Sequence, residues 1–149
     1  MNINIDELNW EILKCLQANA RESFANMGRK VGLTPPAVAE RVKKMEDLGI
    51  ITGYKTEVAY MHVGYQLKAI ITVKAFMGKL KPFLDIVSSF NEVVNCYRIT
   101  GNENIIMEVV LENQSHLEKF IDKLIAYGEA RTHIILSNVV SNSPIKKRP

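Results

Sequence analysis

The segment Gly32-Leu33-Thr34-Pro35-Pro36 constrains this chain more than any other part of it. It lies between two runs of helical apolar spacing, and each of its residues has a local preference. Gly32 suits the left-handed position that closes a helix. Leu33 reads as a buried turn residue. Thr34 is a good N-cap, and Pro35 fills the first helical position, where a missing N–H costs nothing. Pro36 is tolerated beside it because early helical amides have no intrahelical partner. Two helices joined by a tight turn follow. The helix before the turn is expected over Ser23 to Val31, capped by Ser23, with Phe24, Met27 and Val31 inward. The helix after it ends at Gly49, with Val38, Val42, Met45 and Leu48 inward. Pro36, Ala37, Glu40, Arg41 and Lys44 then occupy the opposite or flanking face.

A further helix precedes this pair. Asp6 is its expected N-cap, Leu8, Ile12, Cys15 and Leu16 form its apolar stripe, and it fades near Asn19. From Leu67 onward the texture changes to strand, helix, strand, strand, helix, strand. The expected spans are Leu67 to Phe76, Lys79 to Phe90, Val93 to Ile99, Ile105 to Glu112, Ser115 to Tyr127 and Arg131 to Val140. That order is the split β-α-β, ferredoxin-like arrangement, with both helices on one face of a four-stranded antiparallel sheet. The fold class is therefore α+β: a three-helix domain over 1–53, a linker with an extended middle over 54–66, and a ferredoxin-like domain over 67–149. The tail from Ser143 to Pro149 reads as frayed. Ile70, Phe76, Ile106 and Val110 have the parity of the sheet face that the helices leave open. An apolar face there implies that two chains pack face to face.

Composition narrows the function classes. No apolar run approaches the roughly 20 residues of a membrane span. The segment Met1 to Trp10 lacks a secretory signal's basic and apolar regions, so a cytoplasmic location is expected. Cys15 and Cys96 are far apart and read as buried, reduced small hydrophobes. His62, His116 and His133 are equally scattered, and neither a metal nor a cofactor is implied. The net charge of +3 is supplied by Lys146, Lys147 and Arg148, the rest of the chain being balanced. Total charge thus says little about DNA, whereas local clustering is informative. Between Arg21 and Lys44, six bases (Arg21, Arg29, Lys30, Arg41, Lys43, Lys44) face two acids (Glu22, Glu40), the local excess that phosphate contacts require.

The helix pair reads as a helix-turn-helix for double-stranded DNA. A recognition helix enters the major groove with its N-terminal residues near base edges. Pro36 and Ala37 permit close approach there, Ala37 suits a thymine methyl, and Thr34 joins the contact set at the helix cap. Glu40, Arg41, Lys44 and, from the preceding loop, Arg21 complete the candidate contact set. For Arg41 the structural alternative is an ion pair with Glu46 or Asp47. For the unit as a whole, it is a three-helix bundle that binds protein.

Asp6-Glu7-Leu8-Asn9-Trp10-Glu11-Ile12-Leu13, Asn19-Ala20-Arg21, Val31-Gly32-Leu33-Thr34-Pro35, Val38 to Glu46 and Gly49-Ile50-Ile51-Thr52-Gly53-Tyr54 together resemble the N-terminal domain of the Lrp/AsnC (feast/famine) regulators. The second half, including Ile99-Thr100-Gly101, resembles the family's effector and assembly domain. The resemblance implies a transcriptional regulator acting as a homodimer that assembles into octamers. It places an amino-acid effector beside the loop Gly101-Asn102-Glu103-Asn104, at a subunit interface. The family typically reaches Asp-Tyr at the end of this loop, where this chain has Asn104-Ile105. Asn104 is neutral and cannot pair with an ammonium as a carboxylate would; either Glu103 substitutes for that charge, or the site is altered or unused. A tight hairpin loop built for turn geometry alone is the structural alternative.

Two other classes can be set against this reading. An acylphosphatase-like enzyme would rest on Arg98 and Asn102 and on fold analogy alone, which does not fix function. No Ser or Cys has an evident His partner, so a non-enzyme is expected. A metabolite-binding assembly module with a vestigial DNA domain is the other alternative.

Overall fold

The computed structural model describes residues 5–149; the first four residues of the expected 1–53 domain lie outside them. The chain divides into two compact units, one running up to Glu57 and rejoined by Val140–Pro149, the other spanning Val58–Val139.

The helical unit contains α1 (Glu7–Ala18), α2 (Phe24–Val31) and α3 (Pro35–Asp47). Each begins at a side-chain cap: Asp6 accepts from the Asn9 N–H, Ser23 from that of Asn26, and Thr34 from that of Ala37. Gly32 closes α2 in the left-handed region at φ 72°. Ile12, Leu16, Met27, Val38, Val42 and Met45 form the core, with Leu13, Cys15, Val31, Leu33, Ile50 and Ile51 packed on it. Leu48 and Phe24, both expected inward, are instead exposed: Leu48 is the C-cap of α3 rather than part of its last turn, and Phe24 stands at the first position of α2, at the edge of the packed stripe.

Gly28, in the middle of α2, is buried for a reason that helical periodicity does not reveal. A β-carbon there would lie 2.4 Å from the carbonyl oxygen of Leu33. The Leu33 N–H donates to the Gly28 carbonyl at 2.9 Å, so the turn folds back against this one residue. Only glycine lets the two backbones approach so closely.

Near its start the second unit has a 3-10 turn, Tyr60–Val63, closed by Gly64 at φ 98°, in the part of the expected 54–66 linker that follows its extended middle. There follow β1 (Leu67–Ala75), α4 (Leu80–Ile86), β2 (Val93–Arg98), β3 (Ile105–Leu111), α5 (Gln114–Leu124) and β4 (Gly128–Ile134). The strands form one antiparallel sheet in the order β2-β3-β1-β4, as the ferredoxin-like pattern requires. Ala69, Ile71 and Val73 of β1 and Ile105, Met107, Val109 and Leu111 of β3 are buried with Phe83, Phe120 and Leu124.

Several boundaries differ from expectation. The helix expected to reach Phe90 becomes a 3-10 turn at Val87–Ser89, where the Ser89 hydroxyl donates to the Ile86 carbonyl at 2.6 Å. That side chain competes for a carbonyl the helix would use. The helix expected to reach Tyr127 stops at Leu124, so that Gly128 can enter the sheet opposite Ala75. The last strand starts three residues early and stops at Ile134, which pairs with Ala69 near the start of β1, its one partner among the described residues. The tail does not stay with the second unit. Its Ile145 N–H donates to Gln17 Oε1 at 2.7 Å, and Gln17 Nε2 donates to the Ile145 carbonyl at 3.0 Å.

The open face of the sheet is less apolar than its parity suggests. Ile70, Ile106 and Val110 are half-buried and Phe76 is exposed. Among them, Lys68 pairs with Glu108, which also accepts from Asn95 at 3.0 Å. The Lys68 ammonium and the Asn95 amide hold the Glu108 carboxyl below its ordinary range.

Candidate nucleic-acid interface

The N-terminus of α3 is preset by sequence. The Ala37 N–H donates to Thr34 Oγ1 at 3.4 Å, and the prolines at the first two helical positions have no N–H to leave unpaired. Val38, Val42 and Met45 turn inward. A 3.6-residue period then directs Pro36, Glu40, Lys43 and Asp47 outward, with Ala37 and Lys44 beside them. Pro36, Glu40, Lys43 and Lys44 are all exposed. Lys43, which the sequence reading left outside the contact set, thus stands on the outward stripe. Its offset of three from Glu40 was the available signal.

Arg41 does not join that surface. Its Nη1 donates to Asp6 Oδ2 at 2.7 Å and to Asn9 Oδ1 at 2.9 Å, which ties the middle of α3 to the first turn of α1. The hydrogen bond from Arg41 and that from the Asn9 N–H hold the Asp6 carboxyl below the usual carboxylate range. An intramolecular partner was foreseen for Arg41, but at Glu46 or Asp47. Arg41 lies one position before the buried Val42, on the flank that packs toward α1, and its ion pair is with Asp6 rather than with either of those acids. Glu46 instead accepts from the Tyr54 hydroxyl at 2.7 Å; burial and that contact push the phenol up to about 12.

The rest of the basic cluster divides similarly. Lys30 pairs with Glu22 at 2.5 Å, and Arg29 donates to Asn26. Among the described residues, Arg21, Lys43 and Lys44 have no carboxylate partner. They remain available to an external anion.

In the second unit the loop between β2 and β3 is closely tied down. Gly101 adopts φ 118°. The Asn104 N–H donates to the Val73 carbonyl at 2.9 Å, and Asn104 Oδ1 accepts from the Ala75 N–H at 2.8 Å. Asn104 therefore fastens the loop to β1, leaving its amide NH2 as the free polar end. Glu103 faces Arg131 of β4 at 3.2 Å. Gly101 and Asn102 are exposed. Cys15 and Cys96 are free thiols, half-buried rather than fully buried, and burial pushes both up.

Two family models together account for most of the chain: an AsnC-type helix-turn-helix domain over residues 5–46 and an Lrp/AsnC ligand binding domain over residues 68–145. This chain belongs to the Lrp/AsnC family. Like the relatives it matches, this Lrp/AsnC protein is a helix-turn-helix transcriptional regulator and not an enzyme. One relative, the HTH-type transcriptional regulator YezC of Bacillus subtilis, is 35% identical over 134 residues, 90% of this chain and 95% of YezC. The solved structure of B. subtilis LrpC is 29% identical, with a TM-score of 0.88 over 93% of this chain and 99% of LrpC. A transcriptional regulator from Neisseria meningitidis, solved in complex with L-Met, shares the fold at 24% identity and a TM-score of 0.89, over 95% of this chain and 96% of its own. The two-part α+β architecture is thus that of the Lrp/AsnC regulators. Among the described residues no helix is long and apolar enough to cross a membrane.

Proposed function

We propose that this Lrp/AsnC regulator reads double-stranded DNA with the outward face of α3 and answers to a small effector bound at the loop Gly101-Asn102-Glu103-Asn104. The observation that carries the first part is the division of α3 into a buried stripe and an exposed one. Thr34, Pro36 and Ala37 bring the capped N-terminus close to the bases. Glu40 suits the amino group of a cytosine. Lys43, Lys44 and Arg21 meet phosphates, while Arg41 positions α3 from behind. One helix-turn-helix has a short reach, so two copies are required, reading half-sites about one helical turn apart. Ile70, Ile106 and Val110 are the apolar part of the sheet face on which two chains would meet, and dimers would assemble further into octamers. DNA as the target implies the cytoplasm.

The effector reading leans on the ligand-binding family model and on the L-Met held by the Neisseria protein. An amino acid is the first candidate. Asn104 can donate through its amide NH2, and Glu103 can exchange Arg131 for a ligand ammonium.

Selection of bound duplexes from a random pool, followed by footprinting, tests the DNA reading. Lys44→Ala should weaken binding to all sequences and reduce the salt slope by about 1. A pool that yields no enriched site would leave the second unit with assembly or metabolite binding alone. Calorimetry with the twenty amino acids on wild type and Glu103→Ala tests the effector site. Light scattering that gives a monomer at micromolar concentration would remove the dimer.

A further inference from the structure

We infer that the C-terminal tail is a second DNA-contacting element, docked on the helical unit so that Lys146 and Arg148 reach duplex phosphates beside α3. The inference rests on the reading that this unit binds DNA. It begins from an imbalance of charge. Up to Glu57 the chain carries eight bases and eight acids, and Val58–Val139 carries eight of each again, so the formal +3 resides entirely in the tail. Phosphate neutralisation dominates the affinity of proteins for DNA. A helix-turn-helix unit with no net charge would approach a polyanion with little attraction beyond its local patches. With its tail in place it carries +3.

The tail is held in place by specific contacts. The Gln17 side chain makes the reciprocal pair of hydrogen bonds with Ile145 that an adjacent β-strand would make. Ile145 borders the open mouth of a cavity of about 370 Å³ lined by Trp10, Leu13, Leu16, Ile50 and Ile51, and is itself 77% exposed, so its hold comes from the backbone hydrogen bonds more than from burial. Asn142 bonds to Glu57, and Lys147 pairs with Glu7. These contacts also place the tail relative to α3. Asp6 holds Arg41 of α3, and the very next residue, Glu7, holds Lys147 of the tail. The basic end of the tail therefore lies at the turn of α1 that α3 itself touches. Lys146 and Arg148 flank this anchor, are exposed, and have no carboxylate partner among the described residues. The mutual arrangement is that of a clasp carrying two free cations.

The test is a fluorescence-anisotropy titration of full-length protein against a random-sequence duplex of about 40 base pairs, from 50 to 200 mM KCl. The electrostatic contribution is independent of sequence, so no operator is needed. Lys146→Gln with Arg148→Gln leaves the docking contacts intact. It should flatten the salt slope by about 2 per bound chain and weaken binding about 30-fold near 0.15 M salt, at roughly 0.9 per phosphate contact. Gln17→Ala with Ile145→Gly keeps every charge but releases the tail, and should also weaken binding. Melting followed through Trp10 shows that each variant remains folded. If the neutralised tail binds with the wild-type slope, the tail is not at the duplex and the inference falls. If the released tail binds as tightly as wild type, docking does not position the cations and that half falls. Intact protein with no salt-dependent binding would instead sink the DNA reading itself.

Discussion

Replacing Gly28 by alanine should destabilise the helical unit, although helix propensity predicts the reverse. In an ordinary helix interior this change is worth up to about 1 kcal/mol of stabilisation. Here the new methyl would sit 2.4 Å from the Leu33 carbonyl oxygen and 3.4 Å from its carbon. Normal carbon–oxygen contact needs more than 3 Å, so the Leu33 peptide must retreat by over half an ångström. That peptide is bound to the same residue, its N–H donating to Gly28. Retreat weakens a hydrogen bond worth about 1 kcal/mol. It also disturbs the Thr34 cap, worth about 1 kcal/mol, and strains a packed turn at a cost of about 1–3 kcal/mol. After subtracting the propensity gain, about 2–4 kcal/mol of net loss remains, or roughly 10–30 °C in the melting temperature of so small a unit. Trp10, the sole tryptophan, lies in α1 and reports this unit selectively. Gly32→Ala is the internal comparison: nothing lies within 4 Å of its β-carbon, so only the left-handed backbone is penalised, at about 1–2 kcal/mol. A Gly28→Ala protein as stable as wild type, or more stable, would show that the turn relaxes freely and that the close approach is not what requires glycine.

Arg41→Ala should lower the Trp10-detected melting point by several degrees, since a partly exposed ion pair with an added hydrogen bond is worth about 1 kcal/mol; the bases selected from a random pool should not change. Stability of the sheet unit should fall in acid. Burial alone would raise Glu92, but Lys123 at 2.7 Å, its own backbone N–H and His116 outweigh that and hold it below its ordinary 4.5. A depressed carboxyl contributes stability that is fully present above 4.5 and is lost as pH falls through the folded value. Hydrogen exchange of the β-strand amides between pH 3 and 7 checks this, and Glu92→Gln should be less stable at neutral pH with a flatter acid limb. Asn104→Ala should cost the sheet unit about 1–2 kcal/mol by leaving the Ala75 N–H without its acceptor, whereas Asn104→Asp keeps an acceptor and should melt near wild type. That makes Asn104→Asp the usable probe for amino-acid binding, which should tighten if the ligand amine lies there.

What the sequence disclosed was mostly local. Asp6, Ser23, Thr34 and Gly32 act within three or four residues of their own positions, so their roles as caps and closures could be read from spacing alone. Most of the inward stripes and the parity of β1 were legible for the same reason, the exceptions being Phe24 and Leu48 at helix ends. Contacts between distant residues were not. Arg41 was assigned to DNA because its partner lies 35 residues away on another helix. Gln17 and Ile145 are 128 residues apart, and a polar, basic tail has no periodicity from which docking could be inferred. The need for glycine at position 28 has no sequence signature, since its close neighbour is the Leu33 backbone rather than a side chain. The end of β4 was set by the length of β1, which is a property of the pair rather than of either strand.

Asp6 has two oxygens with two separate tasks: one caps α1, and the other holds Arg41 of α3. This narrows how the chain can drift. Ser, Thr or Asn at position 6 would keep a cap but lose the charge, and Glu would keep the charge but be a poorer cap. Position 41 is bound by the same arrangement, because an arginine left without Asp6 sits half-buried against α1 with only Asn9 to satisfy it. Changes at the two sites should therefore be epistatic, each more harmful alone than its sum with the other would suggest. Lineages that relax one position should be those that have already altered the other.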